Sequence, residues 1–179
     1  MAPTYSQLAC SPVVCSKQVF DEHSSTFSVF FATCPSFFGT SYGHKILVET
    51  ENVRGVITMN ENYETKHFCN SAEEWQAAGV EQLRLSTVDL TGVPSLENLH
   101  RGVEFALQHR EKGNSVYVHC KAGRSRSATL AAAYLIRLHC CTPEEACQKL
   151  VSVRPHILVR TAQLEMLRKY HLQVCRKSQ

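Results

Sequence analysis

The chain has 179 residues, 44% hydrophobic and 20% charged, with a formal net charge of +3 at pH 7. That length suits one domain with a real core and leaves no room for a second, since domains cluster around ~100–150 residues. The apolar-rich stretch Phe27 to Phe38 is broken by Ser28, Thr33, Pro35 and Ser36 and falls far short of the ~20 residues of a spanning helix, so no transmembrane helix is predicted.

Residues 1 to about 45 stand apart: they hold no arginine, are rich in Ser, Thr, Cys and Phe, and show no clean period of 2 or 3.6. No structure is assigned to them. They are too poor in basic residues for an ordinary mitochondrial transit peptide, and they lack the charged start and uninterrupted apolar run of a secretory signal. From Val53 onward the pattern becomes regular. Val53 to Met59 and Val80 to Leu85 read as short buried strands. Leu96, Leu99, Val103, Ala106 and Leu107 recur at helical spacing, Gly113-Asn114 ends that helix, and Val116 to Val118 makes the next strand. The β-α-β order predicts parallel strands. Three more helices are expected at about Ser125 to Leu138, Pro143 to Val153 and Thr161 to Leu172. Thr142 and Glu145 form a capping box with Pro143 at the first helical position, and Thr161 is read as the cap of the last helix. The fold class is therefore α/β, a mainly parallel central sheet flanked by helices.

The nine cysteines are odd in number, none is spaced C-x-x-C, and no cysteine–histidine grouping has zinc-site spacing. They are read as reduced intracellular thiols, and neither a metal nor another cofactor is expected. Cys140-Cys141 is read as a packing pair rather than a vicinal redox pair. Charge is unevenly spread: residues 54 to 99 carry three basic groups against seven acids, and residues 100 to 179 carry fourteen against five. A basic C-terminal half suits an acidic substrate or an anionic membrane surface. Nucleic acid is not the expected partner, because the basic residues are scattered through amphipathic helices without an interleaved aromatic platform.

The basic half contains the most informative stretch, Val116-Tyr117-Val118-His119-Cys120-Lys121-Ala122-Gly123-Arg124-Ser125-Arg126-Ser127. It passes from a strand through a tight loop into a helix. Cys120 and Arg126 enclose five residues, of which Ala122, Gly123 and Ser125 are small enough for backbone N–H groups to converge on one anion. A helix N-terminus adds its dipole. Loop amides, helix end and Arg126 all favour a Cys120 thiolate. Arg126 supplies a planar fork for two phosphoryl oxygens, and Lys121 and Arg124 add cations beside it. Attack of the thiolate on phosphorus forms a phosphocysteine, so the leaving alkoxide needs a proton and the intermediate later needs an activated water. One carboxylic acid serves both steps. The chain has only two aspartates, Asp21 and Asp89, and Asp89 follows the Val80 strand in a loop with turn residues Gly92 and Pro94. Read alone it is a turn or cap aspartate; beside the cysteine motif it is the general acid. Ser127 is either a plain helix serine or a donor to the cysteine sulfur. His119 is expected to be buried and to hydrogen-bond loop backbone, orienting Cys120.

His119 to Ser127 resembles the signature of the cysteine-dependent dual-specificity phosphatases. More narrowly, Arg54 to Glu61, Gly79 to Asp89 and the signature itself resemble the mitochondrial phosphatidylglycerophosphate phosphatases, a protein-tyrosine-phosphatase-like group of cardiolipin synthesis, over about residues 51 to 172. The resemblance implies the cysteine-dependent phosphatase fold, Cys120 as nucleophile, Arg126 as phosphate ligand and Asp89 as general acid. It implies a glycerophospholipid phosphomonoester as substrate, dephosphorylated at the matrix face of the inner mitochondrial membrane by a peripherally associated enzyme. The family's loop around Glu-Glu-Tyr-Glu maps onto Glu61-Asn62-Tyr63-Glu64, with Asn62 in place of an acid, and the resemblance implies that it borders the active site; Tyr63 is alternatively a buried packing residue. Lipid-directed members also carry basic residues at the positions of Lys121 and Arg124. Residues 1 to 45 have no counterpart to the tryptophan-containing segment and early strand pair with which members begin. Residues 1–50 are thus set apart as a divergent N-terminal segment, with room for disorder, from a phosphatase domain over 51–175. Three alternatives stay open: a phosphoinositide or phosphoprotein phosphatase, a non-enzymatic phosphate-binding form arising from the altered N-terminus, and a sulfur-transferring enzyme of rhodanese type, which Asp89 and the paired arginines disfavour.

Overall fold

A computed structural model describes residues 17–20, 28–33 and 46–175. Five strands, β1 (Lys17–Phe20), β2 (Ser28–Thr33), β3 (Val53–Thr58), β4 (Glu81–Arg84) and β5 (Ser115–Cys120), form one sheet in the spatial order β1-β2-β5-β3-β4. β1 runs antiparallel to β2, and every other pairing is parallel. The α/β class and the parallel strands expected from the β-α-β pattern are thus present. Every residue of β5 is buried, as befits a central parallel strand covered on both faces.

The strand pair β1 and β2 corrects the expectation that the N-terminal segment has no counterpart to an early strand pair. β2 lies between β1 and β5, an interior position where an apolar run such as Val29-Phe30-Phe31-Ala32 replaces alternation and gives no period of 2 to read. The remainder of residues 1–45, with Cys10, Cys15 and Cys34 and the features weighed as targeting signals, lies outside the described residues.

After a π-helical turn at Ile46–Thr50, six helices follow: α1 (Asn62–Phe68), α2 (Ala72–Ala77), α3 (Leu96–Glu111), α4 (Arg126–His139), α5 (Pro143–Val153) and α6 (Thr161–Cys175). α1 and α2 have seven and six residues, too short for a 3.6 period to declare itself. Their capping boxes, Glu61 with Glu64 and Ser71 with Glu74, are the only sequence signals they leave. The box on α5 forms as expected, Thr142 Oγ1 accepting from the Glu145 N–H at 3.3 Å and Glu145 accepting from the Thr142 N–H at 2.8 Å. Thr161 is not a cap. It is the first residue of α6, and the Gln163 Oε1 accepts from the Arg160 N–H at 3.0 Å, so the amide three residues in supplies the capping oxygen.

Two apolar clusters lie on opposite faces of the sheet, as strand alternation requires. Val53, Val56 and Tyr117 pack with Leu47, Trp75 and Val80, whereas Ile57, Val118 and Cys120 join the main core with α3, α4, α5 and α6. α4 is buried continuously from Arg126 to Ile136, so it is the central helix and reads as apolar all round. α3 approaches it at Gly102, where a Cβ would come within 2.7 Å of Leu130. Cys140 ends α4 in the left-handed region at φ 48 and is exposed. The packing role expected for the Cys140-Cys141 pair therefore holds only for Cys141, which lies against the main core; the exposed Cys140 thiol is hydrogen-bonded to Cys175 instead. Burial pushes the Cys147 and Cys175 thiols up to about 11, which keeps them protonated and unreactive.

Candidate active site

The loops that follow β3, β4 and β5 leave the sheet at its carboxyl edge, and the chemistry-bearing residues gather there. Cys120 is the last residue of β5 and is buried. The loop from Lys121 to Ser125 turns at Gly123, whose φ of 59 lies in the left-handed region that glycine adopts without steric cost. Ser125 leaves the α4 terminus without a side-chain cap, because its hydroxyl donates instead to Gln163 Oε1 at 2.8 Å. The first amides of α4 therefore receive no acceptor from that side chain and remain donors for an anion. Ser127 Oγ lies 3.3 Å from Cys120 Sγ, within reach of a hydroxyl-to-sulfur hydrogen bond.

Arg126 begins α4 and is only 2% exposed. Burying a guanidinium without partners would be costly, and here the partners are complete on one side. Nη1 donates to Glu64 Oε2 at 2.8 Å and to the Thr87 carbonyl at 2.9 Å, and Nη2 donates to Glu64 Oε1 at 3.1 Å. Glu64 itself is fully buried. Burial alone would lower the Arg126 pKa, but the Glu64 hydrogen bonds, with Cys120 and Asp89 nearby, outweigh it and raise it. Burial likewise opposes the Glu64 carboxylate, and its bonds to Arg126 and to the Glu61 backbone still hold it below the usual value. The pair fixes the plane of the fork at the base of the loop.

Asp89 completes the cluster. Its Oδ1 lies 2.8 Å from Arg126 Nη2 and its Oδ2 lies 3.7 Å from Lys121 Nζ. The loop that carries it is anchored on three sides. Glu61 Oε2 accepts from the Asp89 N–H at 3.0 Å, Gln163 Nε2 donates to the Gly92 carbonyl at 3.0 Å, and the Arg160 guanidinium donates to the Leu90 carbonyl. Gly92 closes the turn: a Cβ there would meet the Val88 carbonyl oxygen at 2.2 Å.

A pocket opens over this cluster. Of its lining, Asp89, Gly92, Cys120, Ser125, Arg126 and Gln163 are buried or half-buried, and the exposed Leu90, Ala122, Arg124, Leu158 and Arg160 make its lips. Lys121, Gly123, His119, Ser127, Tyr63 and Glu64 support the site without lining that pocket. Lys121 is exposed at the loop, and Arg124 is tied by its Nε to the His156 carbonyl at 3.0 Å. His119 is buried, as expected, but its Nε2 lies 2.9 Å from Thr58 Oγ1 and its ring stacks on Tyr117 at 5.2 Å. The expected bond to loop backbone is replaced because β3 is the immediate neighbour of β5 and presents the Thr58 hydroxyl, itself fixed by Gln82 Nε2 at 2.9 Å. Tyr63 is 56% exposed on α1, so the packing alternative for it does not hold.

Sequence reasoning passed over Gln163, Arg160 and Thr58, and it placed Glu61 in a loop bordering the site without its bond to the Asp89 amide. Gln163 is the most telling: it is 1% exposed and ties together the cysteine loop, the Asp89 loop and the start of α6. A glutamine three residues after a helix start was the available signal. Among the described residues no group of three or more His, Cys, Asp and Glu side chains converges to hold a metal ion.

Residues 37–173 match the family model described as dual specificity phosphatase, catalytic domain. The chain is 60% identical to the rat phosphatidylglycerophosphatase and protein-tyrosine phosphatase 1 over 132 residues, covering 74% of this chain and 68% of that protein. The human protein of the same name is 59% identical, over 72% of this chain and 64% of its own length. The chain thus spans about two thirds of the length of these curated relatives. A crystal structure of PTPMT1 in complex with PI(5)P superposes with a TM-score of 0.79 at 53% identity, covering 84% of this chain and 94% of that one.

Proposed function

The chain belongs to the dual-specificity phosphatase family, a cysteine-dependent phosphoric monoester hydrolase fold, and from that premise we propose that it hydrolyses the terminal phosphomonoester of phosphatidylglycerophosphate to phosphatidylglycerol. The observation that carries the reading is the single cluster in which the Arg126 fork, held from behind by Glu64, meets Asp89 at 2.8 Å on the side that opens to Cys120. A phosphoryl group entering the loop takes two oxygens to Arg126 and to the α4 amides. Asp89 is thereby released from the guanidinium and lies next to the departing ester oxygen. Cys120 Sγ attacks phosphorus in line, the P–O bond to glycerol breaks, and the Asp89 carboxylic acid gives its proton to the alkoxide. Water then attacks the phosphocysteine with Asp89 as base. The Ser127 hydroxyl donates to the departing sulfur, so phosphate leaves behind a stabilised thiolate. His119, through Thr58, holds the end of β5 from which Cys120 projects.

A lipid headgroup agrees with the cations at the mouth. Phosphatidylglycerophosphate carries a phosphodiester next to its terminal phosphate, and Lys121 and Arg124 offer charge for it beside Arg126. The curated relatives are named for this substrate. The PI(5)P complex of a similar protein favours a second reading, in which the same cations hold a phosphoinositide. The proposal includes peripheral action at an anionic membrane, taken by similarity to be the matrix face of the inner mitochondrial membrane; among the described residues no helix is long and apolar enough to cross a bilayer. The test is phosphate release from phosphatidylglycerophosphate, a phosphoinositide and a phosphotyrosine peptide, with Cys120→Ser as blank. The proposal expects kcat/KM to be highest on phosphatidylglycerophosphate. Equal or greater turnover of either other substrate would overturn it.

A further inference from the structure

The described residues expose six large apolar side chains: Tyr63, Val88, Leu90, Val151, Leu158 and Leu172. Single exposed apolar residues are ordinary on a soluble surface, but four of these, Tyr63, Val88, Leu90 and Leu158, lie on the segments around one pocket mouth. Leu90 and Leu158 form its lips, at 69% and 48% exposure. Val88 and Leu90 flank Asp89, and Tyr63 lies two residues beyond Glu61, whose carboxylate holds the Asp89 amide.

Leu90 has a second oddity. Its φ is +60, a left-handed conformation that favours glycine or asparagine and is strained for leucine. A chain selected for loop stability alone would not keep a bulky apolar residue there. The loop is nevertheless held in this form, with the Arg160 guanidinium on the Leu90 carbonyl and Gln163 on the Gly92 carbonyl. Cations share the rim: Lys121, Arg124 and Arg160 are all exposed. The rim acids are engaged, Glu61 by the Asp89 amide and Asp89 by Arg126 and Lys121. Apolar tips interleaved with cations are the composition of a surface that lies in the headgroup region of an anionic bilayer.

We propose that the lips of the catalytic pocket are the membrane-contacting surface of this protein: Leu90 and Leu158 insert among the headgroups of an anionic bilayer, Arg124, Arg160 and Lys121 lie level with the lipid phosphates, and the Cys120 pocket opens directly onto the bilayer. The inference rests on the lipid-substrate reading above and deepens it. The substrate's terminal phosphate enters the loop while its acyl chains stay in the membrane. A second copy of the chain is a poor occupant, because it would set like-charged rims against each other and cover the pocket.

The test is flotation with vesicles of phosphatidylcholine containing phosphatidylglycerol, and with phosphatidylcholine alone. It compares the wild-type chain, the double variant Leu90→Glu/Leu158→Glu and the control Val151→Glu/Leu172→Glu. Wild type and control should float with the anionic vesicles, less at high salt, while partitioning of the rim variant should fall about tenfold or more. The ratio of turnover on vesicle-borne phosphatidylglycerophosphate to turnover on a water-soluble aryl phosphate should fall by the same order. Leu90→Asn/Leu158→Asn, in which asparagine suits the left-handed backbone at position 90, repeats the test should the glutamates prevent folding. Flotation of the rim variants equal to wild type, an equal loss in the control, or a rim closed by self-association in solution would overturn the proposal. Flotation needs no turnover, so intact rim-dependent binding without lipid hydrolysis would sink the substrate reading and leave the surface standing.

Discussion

Arg126 and His109 are almost equally buried, at 2% and 4% exposure, and they lie at opposite ends of the sheet. At the carboxyl edge Arg126 is given a carboxylate on each side and a carbonyl, and its charge is stabilised. At the amino edge His109 lies in the last turn of α3 over Gly55, tilted against Phe105 with ring centroids 4.6 Å apart. A Cβ on Gly55 would come within 2.7 Å of the imidazole. Neither ring nitrogen makes a well-formed hydrogen bond; Glu81 Oε2 stands 3.4 Å from Nε2 and is mostly exposed. Burial pushes the His109 pKa below its ordinary 6.5, and Glu81 offsets that only in part. One end of the sheet spends hydrogen bonds to keep a charge dry and oriented. The other uses an ionisable side chain as a neutral wedge. Burial by itself therefore does not mark a catalytic group; burial with a complete set of opposite charges facing a nucleophile does.

Substitutions at the two ends should separate sharply. Cys120→Ser should abolish turnover on every phosphomonoester, measured as phosphate release. Asp89→Ala should lower kcat by about 10²–10⁴-fold for poor leaving groups such as glycerol and much less for aryl phosphates, since only the former need the proton. Glu64→Ala leaves Arg126 buried without its main partner, and should cost about 3–5 kcal/mol in urea unfolding, with a fall in kcat/KM as the fork loosens. Gly55→Ala, by pushing on the His109 and Phe105 rings, should cost about 1–3 kcal/mol with little effect on kcat. An unfolding cost for His109→Phe as large as that for Glu64→Ala would break the comparison, because a neutral wedge should tolerate replacement by another ring.

Acid should sharpen it. The folded chain keeps His109 neutral while the unfolded chain binds its proton near the ordinary value, so stability should decline as pH falls below about 6.5, and His109→Phe should remove that slope. Glu64 behaves as a carboxylate with a lowered pKa. Its contribution is fully present above the ordinary 4.5 and is lost as pH drops through its depressed folded value. Two separate windows in a pH series of unfolding curves would report the two ends independently.

Much of the carboxyl end was legible in the sequence because strand, loop and helix are contiguous there. Cys120, the small loop residues and Arg126 sit in one run of seven positions, and with only two aspartates in the chain Asp89 stood out. Strands β3, β4 and β5 and the helices from α3 onward followed from apolar periodicity and caps. The pairings that support these residues were hidden by sequence distance. Glu64 reaches Arg126 across 62 positions, Gln163 reaches Gly92 across 71, and Thr58 reaches His119 across 61. No local pattern encodes such pairings. β2 escaped because an interior strand loses its alternation, and α1 and α2 because neither spans two full turns. Thr161 misled because a threonine before an apolar run is a common cap, whereas the buried Gln163 amide does that work here.

The most direct test is rapid acid quenching of the chain during turnover of vesicle-borne phosphatidylglycerophosphate, followed by mass analysis of the peptide that contains residue 120. A phosphoryl group on Cys120 is the predicted result, with less of it in Asp89→Ala, because expulsion of the glycerol alkoxide without a proton slows its formation. Phosphate release with no phosphorylated Cys120, or release that survives Cys120→Ser, would contradict it.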